Sequence, residues 1–479
     1  MKTFLKLIGA LLFLLVVVVL VKTVLFKSKQ MQEQSYVPLA VTDSSVVRLQ
    51  RAIQIKTISY DEPTKMDSSA FSAFQHFLVS SYPAVFAGME VEYVNFFGIV
   101  LHWKGLDNKG KPAVLMAHQD VVPIEEATRS QWDADPFSGE IKNGFVYGRG
   151  AIDDKGSLIA ILEAAETLVK QGFKPKCDIY FVFGHDEEVM GLQGAKAIAK
   201  LFKERNIAPR FVLDEGGIVT EYKVPGLGKT AAVVGIAEKG YQTLKLKINI
   251  PGGHSSMPEH KTAIDELAKA VVALKDHPFE AELNSTVQNF LDFVGPEMPF
   301  TSKMAMANRW LFTPIIKSTY AKSPTGNATI RTTTATTIFN AGVKENLIPG
   351  EAEATVNFRT LPGVSQADVI AHVKKIIDNN QIQIIPEGAG HSPSQVASVT
   401  DSSFAYIQKT ISAYKKDIVV APYLVLGATD SRYFGDLTAQ VFRFIPFTDP
   451  EGFHGVNERI KVSEFKKGIG FYYELMRGM

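Results

Sequence analysis

The chain has a single cysteine, Cys177, in 479 residues. A disulfide scaffold is therefore excluded, while the compartment stays open, because many extracytoplasmic proteins carry no disulfide. An excess of charge of one sign is also missing. Lys+Arg 51 against Asp+Glu 50 leaves a net charge of +1, and no Lys/Arg run forms a basic stripe. Nucleic acid is excluded as a partner on that ground. Neither a Gly-x-Ser-x-Gly elbow nor a His-Glu-x-x-His helix occurs, which removes two common hydrolase classes. Gly226-Leu-Gly-Lys-Thr resembles the end of a phosphate-binding loop, but Lys223 stands where the first glycine is required. There are no internal repeats and no low-complexity tract.

What is present begins with an apolar run, Leu7 to Val21, flanked by Lys2, Lys6 and Lys22. A spanning helix needs about 20 residues. Phe4 to Phe26 reaches that length if Lys6 and Lys22 extend their ammonium groups to the interfaces. No small-x-small cleavage site follows the run, so residues 1–30 read as an uncleaved membrane anchor, with a cleaved signal as the alternative. Lysines on both sides leave the orientation unread. Under either reading the globular part lies outside the cytoplasm, membrane-anchored or secreted.

A hydrophobic content of 46% is that of a globular chain. Its length exceeds what one core usually supports, which predicts two domains. A polar linker, Lys27 to Ser35, is followed by alternating strand-like and helix-like segments. Ala113 to Ala117, Asp178 to Phe183 and Phe211 to Leu213 are short apolar runs of buried-strand character. Ser157 to Lys170 is apolar at helical spacing behind Asp153, Asp154 and Gly156. The alternation predicts an α/β domain with a mostly parallel sheet over 36–238 and 363–479. From Gly240 the pattern changes. Gln242 to Ile250 and Glu353 to Arg359 alternate polar with apolar, and Ala263 to Leu274 is helical. Residues 239–362 therefore read as an inserted α+β domain with half-exposed antiparallel strands.

Candidate metal ligands stand just beyond the strand-like runs. His118 and Asp120 follow the first, His185-Asp186-Glu187-Glu188 the second, and Asp214-Glu215 the third. In open α/β sheets the functional crevice lies outside the carboxyl ends of the strands, so these groups should converge, with Asp153 on the same rim. Taken singly, each is more ordinary: a surface histidine, a solvated acidic pair, a helix cap. Together, so many carboxylates in one crevice repel one another unless cations neutralise them. Carboxylates with imidazole suit zinc, with cobalt or manganese as alternatives. Asp120, two residues from His118 on an extended chain, is placed to take the other ring proton of that histidine.

The words around these residues resemble the M20 family of metallopeptidases. They are Ala117-His118-Gln119-Asp120, Tyr147-Gly-Arg-Gly-Ala-Ile-Asp153-Asp154-Lys-Gly, His185-Asp186-Glu187-Glu188, Asp214-Glu-Gly-Gly, Pro251-Gly-Gly-His254-Ser-Ser and Phe453-His454-Gly-Val-Asn. Arg331 to Arg359 and Gly427-Ala-Thr-Asp430-Ser-Arg resemble the branch that holds N-fatty-acyl-amino-acid hydrolases and Gly-X carboxypeptidases. The resemblance implies a catalytic zinc-peptidase domain and an inserted lid or dimerisation domain. It implies two Zn2+ ions bridged by Asp153, with His118 and Asp214 completing one site and Glu188 and His454 the other. Glu187 would be the general base, Asp120 the partner of His118 already inferred, and the Asp153–Asp154 peptide would be cis. His254 would reach the active site, often that of a partner subunit, which makes a homodimer an expectation. Asn346, Arg359 and Asp430 would serve the substrate, Asn346 and Arg359 by meeting its carboxylate. That substrate would be an amphiphilic N-acyl amino acid or a dipeptide. Phe290 to Ile316, rich in Phe, Met, Leu and Trp310, reads either as an acyl cradle or as ordinary lid core.

Overall fold

A computed structural model describes residues 1–31, 38–107 and 110–479. The part of the expected linker from residue 32 onward lies outside the described residues. Strand Ala113–His118 shows why the centre of the molecule forms: all six side chains are buried. Leu115 and Ala117 face one core with helix Lys155–Lys170, while Val114 and Met116 face another with helix Ala195–Glu204. An apolar run without alternation is what a sheet covered on both faces requires. Ala113–His118 pairs in parallel with Ile179–Gly184 and with Phe211–Asp214, and His118 is level with Gly184. The loops that leave these strands therefore open on one rim.

The sheet is less parallel than expected. Its order runs Glu90–Val94, Gly98–Trp103, Ile179–Gly184, Ala113–His118, Phe211–Asp214, Val441–Arg443, Thr230–Glu238, Val419–Val425. Val219–Glu221 pairs with Thr230–Glu238 off this path, so four pairings are parallel and four antiparallel. The first two strands form a hairpin, whose tight turn can only return antiparallel. The class remains α/β, with the parallel pairs flanking Ala113–His118 where the acidic loops emerge.

The second sheet, ordered Thr333–Ala341, Glu351–Thr360, Gly240–Asn249, Gln383–His391, is antiparallel throughout. Strand Gly240–Asn249 alternates buried and half-buried residues, as one covered face demands. Helices Ala263–Asp276 and Gln366–Ile377 cover that face through Leu267, Leu274, Val369 and Val373. Two boundaries differ from expectation. The sheet continues past residue 362, because Gln383–His391 adds its outer strand. The helices Ser285–Val294, Phe300–Ala307 and Arg309–Tyr320 do not join its core. Instead Phe293 and Val294 enter the catalytic core beside Phe404 and Val420. Helix Lys2–Leu25 has 24 residues and is the one helix among the described residues long and apolar enough to cross a membrane. At 1.5 Å per residue it is about 36 Å long.

Candidate metal centre

The rim is assembled from loops that the sheet brings together. His118 ends its strand, and its Nε2 lies 2.9 Å from Asp153 Oδ1. Asp153 Oδ2 lies 3.0 Å from Nε2 of His454, which is itself 3.1 Å from Glu188 Oε2. Glu215 Oε1 is 3.5 Å from His118 Nε2. The two oxygens of Asp153 thus face two different imidazoles, each with a further carboxylate beyond it. The peptide between Asp153 and Asp154 is cis. Ligand atoms of His118, Asp153 and Glu188 lie within 4.8 Å of one another, as do those of His118, Asp154 and Glu215.

The electrostatics describe a crevice short of positive charge. Burial, with Asp430, Glu215 and Glu188 nearby, pushes the Glu187 carboxyl well above its ordinary range, against the pull of His118. Burial and Asp153 push Glu215 up to about 8. Burial alone would raise Asp153 too, but hydrogen bonds from His118 and His454 hold it below the usual carboxylate range. The same bonds from Asp153 and Glu188 raise His454 to about 10. Protons on the two histidines hold the carboxylates together, the position that cations would take. Glu188 Oε1 is buried without a hydrogen-bond partner. Imidazole nitrogens and carboxylate oxygens converging on one carboxylate fit a pair of divalent ions.

Residues 114–478 match the model of peptidase family M20/M25/M40. The chain belongs to the M20 metallopeptidase family. Among curated M20 relatives, "Probable carboxypeptidase S-like 2" of Dictyostelium discoideum is 41% identical, over 98% of this chain and 92% of its own length. Human "N-fatty-acyl-amino acid synthase/hydrolase PM20D1" is 38% identical, over 90% and 86%. Among solved structures, the M20 metallo-carboxypeptidase Sso-CP2 of Sulfolobus solfataricus aligns with a TM-score of 0.66 at 17% identity. It covers 91% of this chain and 99% of its own. The Bacillus subtilis YXEP protein, described as a dinuclear metal binding peptidase, gives 0.57 at 13% identity, over 91% and 98%. This chain is accordingly an M20 metallopeptidase.

Two expected site residues stand elsewhere. Asp214 is not the group that approaches His118. Its Oδ2 accepts from the Ser431 amide at 2.8 Å, and the Glu215 amide and Thr429 hydroxyl also serve it. Glu215, the next residue, projects towards His118 instead, since successive side chains of an extended strand end point opposite ways. Asp430, expected to serve the substrate, is buried. It is 3% exposed and packs under the rim against Gly184 and Gly191, where an added Cβ would lie 2.3 and 2.0 Å from its oxygens. Its neighbour Arg432 reaches the crevice, with Nη1 3.9 Å from Glu187 Oε1.

The lid residues are apart from the cluster. His254, on the ribbon of Gly253–His254 with Leu347–Ile348, is exposed, and its Nδ1 meets Ser256 Oγ at 2.7 Å. Asn346 is beside it, its carbonyl accepting from the Ser255 amide. Arg359 lies over the Tyr241 ring at 4.6 Å and has no ion pair among the described residues.

Three positioning groups went unread in the sequence. Glu458 Oε1 accepts from the amides of Gly150, Ile152 and Asp153, and its Oε2 accepts from Arg149. Arg149 Nη2 in turn donates to the carbonyls of His454 and Gly455. Lys155 is buried behind the Asp153 turn and ties it to the carbonyls of Ala52 and Ile55. Asp120 does more than expected. Its oxygens accept from the amides of Glu187 and Glu188, at 3.2 and 3.1 Å, and from Ser59 Oγ. The His118 Nδ1 proton goes to the Asp120 carbonyl at 3.0 Å, with the carboxylate at 3.4 Å.

Proposed function

We propose that this enzyme cleaves, and can form, the amide bond of N-acyl amino acids with long acyl chains, at a two-zinc centre. One observation supports it most: Asp153 presents one oxygen to each of two imidazoles, an arrangement that holds two ions side by side. His118, Asp153 and Glu215 would hold one ion, and Asp153, Glu188 and His454 the other. Bound there, the ions supply Lewis acidity and lower the pKa of water towards neutrality.

The rest is done by side chains. Glu187, buried and high in pKa, takes a proton from the attacking water and returns it to the leaving amine. Asp120 fixes its backbone amide and that of Glu188, so base and ligand keep their spacing. Arg359, a half-buried cation without a carboxylate partner among the described residues, is suited to the substrate carboxylate. His254, exposed and unconnected to its own chain's cluster, serves the oxyanion of a second copy in a homodimer. Such a donor typically contributes about 3–4 kcal/mol. The acyl preference rests on the named activity of the PM20D1 relatives. The carboxypeptidase S-like relative supports the alternative, a dipeptide carboxypeptidase. The extracytoplasmic, membrane-anchored placement rests on helix Lys2–Leu25.

Kinetics on the full chain with N-acyl phenylalanines of increasing length, below their micelle threshold, separate the two. Each buried methylene should add about 0.8 kcal/mol of binding until the site is filled. A flat profile, or a preference for dipeptides, selects the carboxypeptidase. Glu187→Gln should keep both ions and lose nearly all turnover; retention of more than a tenth overturns its role as base.

A further inference from the structure

The helices between Ser285 and Tyr320 carry a surface that catalysis does not use. Phe300 is 56% exposed, Trp310 55%, Leu311 40% and Ile315 61%. Leu311, Pro314 and Ile315 share one exposed face of helix Arg309–Tyr320, at i, i+3 and i+4. Trp310 does not line an internal cradle; it stands on the outside. No acidic residue occurs between Glu297 and Glu345, whereas Lys303, Arg309, Lys317 and Lys322 do. The surface is apolar and is flanked in the chain by Lys303, Lys317 and Lys322, while Arg309 is paired with Asp292 at 2.6 Å.

The anchor helix enters the molecule at the same place. Along Lys2–Leu25 the buried residues are Val19 and Thr23, with Leu15 and Phe26 half-buried on the same side. Asn308, fully buried between the two helices, donates to the Val19 carbonyl at 3.1 Å and to Thr23 Oγ1 at 3.2 Å. The Phe26 ring covers Gly295, where a Cβ would lie 2.7 Å from it. The Lys22 ammonium lies 5.6 Å from the centre of the Trp310 ring. Anchor and helices are thus one packed assembly, and the depth of one sets the depth of the other.

That depth follows from the helix. Lys22 is the last charge of the apolar run and belongs at the headgroup level, where Trp and Lys concentrate. Val19 and Leu15 lie three and seven residues deeper, or about 5 and 10 Å at the helical rise. Amphipathic helices that rest in a bilayer surface bury their apolar faces to roughly 5–10 Å. We propose that helices Phe300–Ala307 and Arg309–Tyr320 form a second membrane contact, a platform seated in the leaflet that the anchor enters. It favours anionic lipid and fixes the height and tilt of the catalytic domain. The proposal rests on residues 1–30 being an uncleaved anchor; it does not depend on the acyl substrate.

Trp310 is a built-in reporter, because the other two tryptophans, Trp103 and Trp132, are 5% and 9% exposed within the catalytic domain. The full chain is placed in phosphatidylcholine–phosphatidylglycerol liposomes whose acyl chains are brominated near the headgroup. The fluorescence difference between wild type and Trp310→Phe should fall by at least half relative to plain lipid, and should resist aqueous iodide. Leu311→Glu with Ile315→Glu should abolish the bromolipid effect while the chain still resists alkaline carbonate extraction. Iodide quenching without bromolipid quenching, in a carbonate-resistant chain of full-length mass, overturns the platform and leaves the anchor standing. So does bromolipid quenching that survives the double glutamate variant. A chain extracted by carbonate, or shortened by mass, overturns the anchor and the platform with it.

Discussion

Replacing Glu458 by Gln tests whether one buried ion pair holds both loops that carry the proposed ligands Asp153 and His454. Glu458 and Arg149 are 0% and 3% exposed, and Nη1 lies 2.8 Å from Oε2. The three loop amides use Oε1 alone, at 3.0, 2.9 and 3.2 Å. A glutamine can keep its oxygen on those amides, but its NH2 then faces the guanidinium. The substitution therefore removes the charge partner of Arg149 and little else. Leaving a buried charge unpaired costs about 3–5 kcal/mol. At about 1.4 kcal/mol per factor of ten, that is roughly a hundredfold to a few thousandfold in the opening equilibrium of the loop. Hydrogen exchange of the Gly150, Ile152 and Asp153 amides reads that equilibrium locally, which matters in a chain of several cooperative units. Their exchange should quicken at least a hundredfold in Glu458→Gln, with metal affinity falling tenfold or more because His454 is held by the same arginine. Adding Arg149→Met should restore most of the protection, since no charge is then left alone. Exchange that changes less than tenfold, or worsens in the double variant, would refute the reasoning.

Glu215→Gln should lower the affinity for one of two ions at least tenfold, while Asp214→Asn keeps both; metal analysis against a competing chelator distinguishes them, and the reverse pattern restores Asp214 as the ligand. Raised pKa values mean protons that must leave when cations enter: His118, held despite burial well above its ordinary value by Asp120, Asp153 and Glu215, His454 at about 10 and Glu215 at about 8 all carry one at pH 7. Metal loading at pH 7 should therefore release about three protons per chain, and affinity should climb with pH until about 10. Calorimetry in buffers of different ionisation enthalpy counts them, and no release at pH 7 contradicts the assignment. Mixing inactive His254→Ala with inactive Glu187→Gln chains should recover partial activity through hybrid dimers; no recovery, with exchange of subunits verified, confines His254 to its own chain.

What could be read in the sequence is what local words encode. His118, Asp153 and Glu188 stand directly after apolar runs or at a helix start, and the two-faced burial of those runs forces them onto one rim. The choice between Asp214 and Glu215 is a question of side-chain direction at a strand end, and composition carries no sign for it. Nor could the sequence reveal Glu458, because the amides it serves are 305 to 308 residues away along the chain. The lid boundary was missed for the same reason: Gln383–His391 pairs with Gly240–Asn249 across a long separation. The aromatic segment from Phe290 to Ile316 has the composition of an acyl cradle, yet composition does not say which side of a helix faces out.

Asp120 shows how a correct position can conceal a different role. Its spacing from His118 places the two side by side, and the ring proton seems the natural bond. The shorter contact runs to its carbonyl, which leaves the carboxylate free for the amides of Glu187 and Glu188. The proposed base and the proposed ligand, on adjacent residues, must point in different directions from one short turn. A single carboxylate gripping both amides sets that turn, and burial at 0% exposure keeps water from competing for it. The residue expected to tune one histidine therefore sets the spacing of Glu187 and Glu188, the proposed proton acceptor and the proposed ligand.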